Sequence, residues 1–540
     1  MTRNSLPLAV RGVHLDCRAQ MMRFTQIVEI FHDLARWGFN TVLLEYEDRF
    51  PFRGHLKTVS APDALTAVQV RELNRIAASL GLRIIPLVQC LGHLEYVLRR
   101  TPFQLLREGK ENRQDATICP SRHDSLSLFR EMASQVLELH EGCRWFHLGG
   151  DEVGLNEQCP RCGPRLKKEG LSRMLVEHYG ACADWLRGQG PDPIMWGDML
   201  LAHPEELARL RGRVTVMDWD YWSAGKIPDV PVLWGFRDRD VRKPATWPPL
   251  YRQLFENYIL TYSGLDPRPF PYTPFLRDQG FPVILAPAAR SAGDNFCAPS
   301  PLHIENVVSA ARMAHGANIL GSVITSWALR RAPWPLTENI LIAGGLAMQD
   351  AATSRLEMDT RFVEEHFNVS NPRLAKIPLL LGAPLEWGVG ASLARFDGKT
   401  GQWLSPPFAE RIEENLNRDN FPQGRRRART LTTNCRKAMD LLSLARPRTV
   451  RQHQRTVLWR WAAETMLFYA RLAGQIRPDR TAPPPATLRV FHQEIVRLSA
   501  TSRRVLVPFY TSRTLEAENQ TRIDSCREWL EAHLSRGGMP

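Results

Sequence analysis

The stretch Arg144-Trp-Phe-His-Leu-Gly-Gly-Asp-Glu-Val153 decides the fold, because it joins a buried strand to a pair of acids. The run from Trp145 to Leu148 is typical of a short buried strand. Two glycines follow and leave room beside the strand end, and Asp151 and Glu152 are poor strand formers that folding does not require. Adjacent residues at a strand end point in different directions, which suits one carboxyl that moves a proton and another that orients the substrate or stabilises charge. A solvated acidic turn is the alternative.

Strand-like and helix-like patterns alternate on both sides of this stretch. Eight apolar runs indicate strands, at residues 9–15, 41–44, 83–89, 145–148, 193–196, 213–217, 282–286 and 320–327. Amphipathic segments such as 26–37 and 171–187 lie between them. Eight βα units close a (β/α)8 TIM barrel, so we predict an α/β fold in which residues 1–355 form the catalytic domain. A Pro- and aromatic-rich stretch at about 223–280 is too long for a plain connection and predicts an elaborated loop.

Polar or aromatic residues stand at or near the ends of most of these runs: Asp16, Glu45, His93, Asp151, Glu152, Trp196, Asp198, Asp218 and Trp327. In a TIM barrel the active site lies at the face formed by the C-terminal strand ends, so these side chains are expected to converge there. A doubly wound sheet is the alternative, but it would scatter them along a crevice.

The remaining residues, 356–540, predict a mostly α-helical C-terminal region. Long Arg-rich amphipathic segments occur at 431–444, 451–476 and 488–504. This region has no acid pair or metal cluster of its own. We expect it to pack on the barrel or to mediate self-association as a homodimer.

Composition indicates an ordinary globular protein of 540 residues, with 44% hydrophobic and 24% charged residues. No run of 18 or more apolar residues predicts a transmembrane helix, so no membrane partner is expected. The first ten residues are too weakly apolar for a signal peptide, and ten cysteines are too few for a disulfide scaffold. A cytoplasmic location is the expectation.

The net charge of +13 raises the question of nucleic acid. Most of the excess is arginine spread along the chain, with one dense run at Arg425–Arg429. No zinc-finger, helix-turn-helix or aromatic RNA-binding pattern accompanies it. A solvated Arg-rich surface is favoured over a nucleic-acid interface, and salt-dependent DNA binding would support the latter.

Several motifs carry a resemblance to a known family. His147-Leu-Gly-Gly-Asp-Glu152 resembles the H-x-G-G-D-E motif of the family-20 glycoside hydrolases, the β-N-acetylhexosaminidases. Further matches occur in the family's chain order: Arg11-Gly-Val-His-Leu-Asp16, Gly92-His93, Trp196-Gly-Asp198 and Thr325-Ser-Trp327. Segments 44–52, 85–89 and 219–221 are most similar to an intracellular branch of the family. The resemblance covers about residues 8–350.

This resemblance implies an exo-acting enzyme that hydrolyses terminal β-linked GlcNAc or GalNAc of a glycan or glycoconjugate with retention. The substrate's own 2-acetamido oxygen is then the nucleophile, which makes the family an exception to the two-carboxylate scheme. Glu152 is implied as the general acid and then the base, and Asp151 as the residue that orients the acetamide and stabilises the oxazolinium charge. The mechanism requires no cofactor.

The expected substrate-binding residues are Arg11, Glu45, His93, Trp196, Asp198, Tyr221 and Trp327. By resemblance, Arg11 forks onto the outer sugar hydroxyls; a structural ion pair is the alternative. His93 is expected in a polar chain with an acid of the 45–48 cluster, and a satisfied buried histidine is the alternative. Trp196 and Trp327 suit the walls of a sugar site, although either could be ordinary core.

Two departures from the family pattern favour a second hypothesis. The seventh strand, Ile284 to Arg290, lacks the family's acetamide-binding tyrosine, for which Tyr221 or Tyr46 could substitute. Leu329 stands where the family has an acid two residues after the last tryptophan. A catalytically weak carbohydrate-binding barrel is therefore the alternative function.

The pair Cys159-Pro-Arg-Cys162 is a weak candidate for metal binding. A single C-x-x-C needs two further ligands for zinc, which could come from Cys143 or Cys182. A reduced loop pair is the favoured interpretation, and a small structural zinc site is the alternative.

Overall fold

Eight parallel strands close into a barrel in the structure, a computed structural model. It describes residues 6–109, 112–224, 233–235, 243–260, 268–291, 297–330, 332–382, 394–405, 421–476 and 483–536. The strands are β1 (Val10–Asp16), β2 (Thr41–Glu45), β3 (Arg83–Leu87), β4 (Trp145–His147), β5 (Asp192–Trp196), β6 (Thr215–Trp219), β7 (Val283–Ala286), β8 (Ala288–Arg290) and β9 (Gly321–Ser326). β1 pairs with β9 and closes the ring, which confirms the predicted barrel and excludes an open doubly wound sheet. The short β8 follows β7 after Pro287 and pairs with the later residues of β9, so it continues the seventh strand of the ring.

Strand residues alternate between two buried clusters. Leu43, Ile85 and Met217 belong to a cluster contributed by the strands themselves, which fills the interior of the barrel. Their neighbours Leu44 and Val216 belong to the larger cluster that the strands share with the surrounding helices. This alternation follows from the two-residue period of a strand.

Helices cover the outside of the barrel. They are α1 (Phe24–Arg36), α2 (Ala67–Ser79), α3 (Glu95–Leu98), α4 (His123–Leu139), α5 (Cys162–Glu169), α6 (Leu171–Gly188), α7 (Asp198–Ala202), α8 (Pro249–Ile259), α9 (Tyr272–Asp278), α10 (Ser300–Ala317) and α11 (Glu338–Gln349). The predicted loop at 223–280 contains α8 and α9, while its segments 225–232, 236–242 and 261–267 lie outside the described residues.

The C-terminal region is helical, as predicted. Its helices are α12 (Arg355–Phe367), α13 (Lys376–Leu381), α14 (Phe421–Leu442), α15 (Val450–Gln475), α16 (Pro485–Leu506), α17 (Ser512–Asn519) and α18 (Ser525–Arg536), with a hairpin of β10 (Arg395–Asp397) and β11 (Gln402–Leu404). Within the described ranges, none of the helices is both long and apolar enough to cross a membrane.

This region packs directly on the barrel. Arg455 of α15 is fully buried and donates to both carboxylate oxygens of Glu338 on α11, at 2.6 and 2.7 Å. The same guanidinium reaches Asp33 of α1 at 3.1 Å. The C-terminal region was expected either to pack on the barrel or to mediate self-association, and the structure shows the packing. Self-association and a domain boundary at residue 355 stay predictions.

Candidate active site

A pocket of about 200 Å³ opens at the C-terminal ends of the strands. Its walls are formed by Arg18, Gln89, His93, Asp151, Glu152, Trp219, Tyr221, Trp222, Ser291, Trp327 and Leu329. These residues stand at or just beyond the ends of β1, β3, β4, β6, β8 and β9. The pocket therefore lies at the face where the strand-end pattern predicted it.

The Gly-Gly turn after β4 fits tightly against Gln89. Gly149 has a φ of 70°, and a Cβ atom there would lie 1.8 Å from Oε1 of Gln89. That oxygen instead accepts a hydrogen bond of 3.2 Å from the amide of Gly150. The hydroxyl of Tyr179 donates to the carbonyl of Gly150 at 2.8 Å. The turn therefore needs glycine for close approach, and it fixes the direction in which the chain enters the acid pair.

Asp151 is buried and paired with His93. Nε2 of His93 lies 3.3 Å from Oδ2 of Asp151, and Nε2 of Gln89 donates to Oδ1 at 3.4 Å. Burial alone would raise the pKa of Asp151, but the charge and hydrogen bond of His93 hold it below its usual value. Burial likewise opposes protonation of His93, yet Asp151 raises the pKa of that imidazole from 6.5 to about 10. At neutral pH the two groups form an ion pair.

Glu152 is held by its backbone while its side chain faces the pocket. It adopts a left-handed conformation with a φ of 50°, which is uncommon for a residue with a side chain. Its amide donates to Oδ2 of Asp198 at 2.9 Å, and Oδ1 of Asp198 accepts from Nε1 of Trp219 at 3.2 Å. The carboxylate of Glu152 is 34% exposed, and Oε2 lies 3.7 Å from the same His93 nitrogen. A solvent-accessible acid thus stands beside a buried carboxylate.

Asp198 does not line the pocket, contrary to the prediction that it binds substrate. It is buried behind Glu152, where burial first and the charge of Asp151 second raise its pKa to about 7. Its contacts make it a residue that positions Glu152.

Trp196 is also beneath the pocket instead of in its wall. The ring is fully buried, 4.6 Å from the ring of His147 and 5.9 Å from that of Trp327. The predicted sugar contact of Trp196 is therefore corrected, because its side chain points into the barrel core.

Four aromatic side chains line the pocket, those of Trp219, Tyr221, Trp222 and Trp327. Tyr221 stacks on Trp219 with ring centroids 4.9 Å apart, and its hydroxyl accepts a 2.9 Å hydrogen bond from Nε1 of Trp327. Trp222 lies beside them, 5.4 Å from the ring of Tyr221. Tyr221 and Trp327 thus line the pocket, and their contact with substrate stays a prediction. Tyr46 does not, since its hydroxyl is buried against His140 at 2.9 Å.

Arg18 is a pocket residue that the sequence interpretation missed. Its guanidinium donates to Asp16 at 3.1 and 3.2 Å and to Glu47 at 3.1 Å, and it lies 5.3 Å from the ring centroid of Trp327. The predicted residue Glu45 is fully buried, 2.8 Å from His14 and 3.8 Å from Arg18, so it supports the guanidinium from behind. The signal available in the sequence was position: Arg18 follows the C-terminal end of the first strand.

Arg11 is not brought to this pocket. It stands near the start of β1, and its guanidinium donates to the carbonyls of Gly38 and Leu8 at 2.7 Å each. The predicted contact with sugar hydroxyls is therefore corrected, because the N-terminal end of a barrel strand lies at the opposite face from the site.

The barrel, the pocket at its C-terminal face and the acid pair between aromatic walls define the class of barrel glycoside hydrolases. Residues 9–230 match the model of the glycosyl hydrolase family 20 catalytic domain. The chain is 35% identical over 262 residues to hexosaminidase D of Bos taurus, a match that covers 47% of this chain and 71% of the bovine protein. It is 34% identical over 224 residues to hexosaminidase D of Homo sapiens, covering 40% of this chain and 46% of the human protein.

The chain belongs to glycosyl hydrolase family 20, the β-N-acetylhexosaminidases. Among solved structures, it is similar to a family-20 exo-β-N-acetylglucosaminidase from Vibrio harveyi in complex with N-acetylglucosamine, with a TM-score of 0.46 and 17% identity. That alignment covers 69% of this chain and 58% of the Vibrio protein.

Proposed function

We propose that the chain is an exo-acting enzyme that removes terminal β-linked GlcNAc or GalNAc from a glycan or glycoconjugate with retention, by substrate-assisted catalysis. The observation that carries this proposal is the position of the two pocket carboxylates. Asp151 and Glu152 are adjacent, and both approach the same nitrogen of His93, at 3.3 and 3.7 Å. They are the only carboxylates among the described residues that line the pocket.

Mechanisms with two carboxylates need them on opposite sides of the anomeric carbon. The separation is about 5–5.5 Å when one carboxylate is a nucleophile and about 6.5–9.5 Å when it activates water. Here both acids approach the same His93 nitrogen, and the other described residues that line the pocket include no carboxylate. If the nucleophile is the substrate's own acetamide oxygen, no second carboxylate is needed on the opposite side of the anomeric carbon.

In the first step, the carboxylic acid of Glu152 gives its proton to the glycosidic oxygen as the bond from that oxygen to C1 breaks. The acetamide oxygen forms a bond to C1 at the same time and yields an oxazolinium ion. Asp151, a buried anion beside protonated His93, accepts a hydrogen bond from the acetamide N–H and balances the positive charge. Water then gives a proton to the Glu152 carboxylate and attacks C1, which restores the acetamide and the β configuration.

Two further side chains take up the rest of the sugar. The hydroxyl of Tyr221 accepts from Nε1 of Trp327 and also bonds the hydroxyl of Thr325, so its proton would turn from Thr325 to the acetamide oxygen when substrate binds. Arg18 takes the role of the outer-hydroxyl fork that the resemblance assigned to Arg11. Leu329 leaves that side of the pocket with one polar contact fewer than the family pattern.

The volume of the pocket supports an exo mode of action. At about 200 Å³ it is smaller than the ~300–1,000 Å³ pockets that hold drug-sized ligands, so it suits one sugar residue and not an internal segment of a chain.

Leaving-group dependence tests the two carboxylate roles. Glu152→Gln is expected to lose ~10²–10⁴-fold in rate on an alkyl or sugar β-N-acetylglucosaminide and far less on a dinitrophenyl glycoside, because a good leaving group needs no proton. Asp151→Asn is expected to lose a similar factor on both, because it acts on the nucleophile. Equal losses by Glu152→Gln on both leaving groups would refute its role as the acid.

A matched substrate pair tests the participation of the acetamide. The wild-type chain should hydrolyse nitrophenyl β-GlcNAc or β-GalNAc, and N-acetylglucosamine-thiazoline should inhibit it, whereas the plain β-glucoside should resist. Cleavage of the glucoside at a similar rate would refute substrate assistance. Binding of the sugars without cleavage of any glycoside would favour the alternative of a catalytically weak carbohydrate-binding barrel. The presence of Leu329 in place of the family's acid also favours that alternative.

The cellular assignments rest on the sequence alone. A cytoplasmic location, a homodimer and the lack of nucleic-acid or membrane partners stay predictions. Sedimentation would check the homodimer, and a salt titration with duplex DNA would check the lack of nucleic-acid binding.

A further inference from the structure

Three cysteines and one glutamate converge beside the loop that carries the acid pair. Cys159 and Cys162, at the start of α5, lie against Cys119, which precedes α4, and against Glu108. One potential ligand atom from each residue lies within 4.8 Å of every other, and all four residues are buried. Chain separation of about 40 residues between Cys119 and the pair shows that folding, not local sequence, assembles this cluster.

The sulfur separations match those around a tetrahedral metal ion. Sγ of Cys119 lies 3.5 Å from Sγ of Cys162 and 4.0 Å from Sγ of Cys159. Two thiolates at ~2.3 Å from a tetrahedral zinc ion are about 3.8 Å apart. A disulfide would bring the sulfurs to ~2.05 Å, and all three cysteines are free.

The turn that holds the C-x-x-C pair directs a backbone N–H at one of the two sulfurs. The amide of Cys162 points at Sγ of Cys159 at 3.4 Å, and the amide of Gly163 donates to the carbonyl of Cys159 at 2.8 Å. A Cβ atom at Gly163 would lie 2.0 Å from the carbonyl of Glu157, so the turn closes only with glycine there. An N–H directed at sulfur stabilises negative charge on a metal-ligating cysteine.

Glu108 supplies the fourth group. Its Oε1 accepts from the amide of Asn156 at 2.9 Å, which orients the carboxylate. Its Oε2 is buried and accepts from no N–H or O–H group among the described residues, while the carboxylate also contacts the Cys162 thiol. A buried carboxylate oxygen without a donor is costly unless a cation meets it.

The second buried cluster that could hold a cation is weaker. It contains Cys90, His178 and Cys182, which offers three groups only. Nε2 of His178 is engaged with the carbonyl of Cys90 at 2.9 Å, so this histidine already has a partner. The cluster serves better as a control.

We propose that Cys119, Cys159, Cys162 and Glu108 bind one structural zinc ion. Thiolate ligands select zinc over the harder Mg²⁺ and Ca²⁺. The sequence had suggested Cys143 or Cys182 as partners of the C-x-x-C pair; Cys182 instead belongs to the other cluster and Cys143 to neither. The ion would tie Glu108 and Cys119, which follow β3, to Cys159 and Cys162, which follow Glu152, and so brace the loop that carries the acid pair.

Metal content tests this proposal independently of any glycosidase activity. Chain purified without chelator and reconstituted with zinc should hold about one equivalent by inductively coupled plasma mass spectrometry. Cys119→Ser and Cys162→Ser should each lose it, and Cys182→Ser should keep it. Circular dichroism of each variant shows whether it is folded.

Two further measurements keep the proposal open to refutation if a cysteine variant does not fold. A strong chelator should lower the melting temperature of the wild-type chain, and added zinc should restore it. Glu108→Gln, which keeps all three thiols, should weaken zinc binding by about 10-fold or more. Zinc-free wild-type chain after reconstitution, or loss of metal from Cys182→Ser but not from Cys119→Ser, would overturn the assignment.

Discussion

The imidazole of His93 contacts both acids of the proposed catalytic pair, with Nε2 3.3 Å from Asp151 and 3.7 Å from Glu152. His93 itself has a φ of 51°, so His93 and Glu152 both adopt left-handed backbone conformations. Uncommon backbone conformations persist where surrounding structure fixes them, and they cluster at functional sites. The uncommon backbone conformation of His93 holds its imidazole in the ion pair with Asp151.

Replacing His93 by Gln should move the acidic limb of the pH profile to higher pH. In the wild-type chain the pKa of Asp151 is held low, so its anion persists as pH falls. Without the imidazolium, burial and the charge of Glu45 favour the protonated acid, which is a poorer acceptor for the acetamide N–H. Profiles of kcat/KM for both proteins would show the shift, and coincident acidic limbs would contradict it.

The same pair predicts a pH-dependent contribution to stability. The pKa of His93 is raised in the folded chain from 6.5 to about 10, so its contribution is fully present below about pH 6.5. It is lost as pH rises toward 10. Urea unfolding of wild type and His93→Gln between pH 6 and 10 should therefore show a difference in stability that shrinks with rising pH.

Asp198→Asn should lower kcat with little change in KM. The side chain of Asp198 accepts from the amide of Glu152 and from Trp219, and an amide group can accept from only one of them while its own N–H₂ opposes the other. One mismatched buried hydrogen bond costs about 1–3 kcal/mol, or roughly 10–100-fold in rate if it displaces Glu152. A variant whose kcat stays near the wild-type value would show that Asp198 does not position the acid.

Arg18 and Arg11 form a matched pair of tests at opposite ends of β1. Arg18→Lys keeps the positive charge among Asp16 and Glu47 but loses the fork, so kcat/KM is expected to fall roughly 10–100-fold. A substrate lacking an outer hydroxyl should be less affected. Arg11→Lys should leave kcat/KM unchanged, since its guanidinium binds Gly38 and Leu8 on the other face. Equal effects at both positions would refute the reassignment.

The tyrosines 221 and 46 form a second matched pair. Tyr221→Phe removes the proposed donor to the acetamide oxygen and should lower kcat roughly 10–100-fold on acetamido sugars. Tyr46→Phe removes a hydroxyl that is bonded to His140 outside the pocket, and should change stability but not kcat. Steady-state kinetics on nitrophenyl β-GlcNAc distinguish the two, and an unchanged kcat for Tyr221→Phe would leave the acetamide oxygen without this contact.

Periodicity and strand-end chemistry were sufficient to predict the barrel and the acid pair. All eight barrel strands were found within a few residues of their predicted bounds, because buried strands and amphipathic helices leave strong local patterns. The direction in which each side chain points was harder to predict. Trp196 and Asp198 stand next to a strand end like true wall residues, and only the packing shows that they point into the core and behind Glu152.

Residues joined across long chain separations were the least predictable. The family motif assigned Arg11 to the sugar site, but the motif does not show at which end of the strand this residue lies. Cys119 and Glu108 lie 40 or more residues from the C-x-x-C pair, and no spacing rule connects them. Such groups are assembled by the fold, which no local pattern records.

Arg455→Met should destabilise the whole chain, because it removes the cation from a fully buried ionic cluster. Glu338 would lose both of its hydrogen bonds to Arg455 and keep His366, whereas Asp33 would keep Arg36 and Arg451. The cost is therefore expected near the lower end of the about 3–5 kcal/mol that breaking a buried ion pair takes. Burial opposes ionisation of Glu338, yet Arg455 holds its pKa below the usual value, so its contribution is present above about pH 4.5 and lost as pH falls through the lowered pKa. Pairing Arg455→Met with Glu338→Gln should cost less than the sum of the single changes. Urea unfolding of the three variants measures this, and two separate transitions would show instead that the barrel and the C-terminal helices unfold independently.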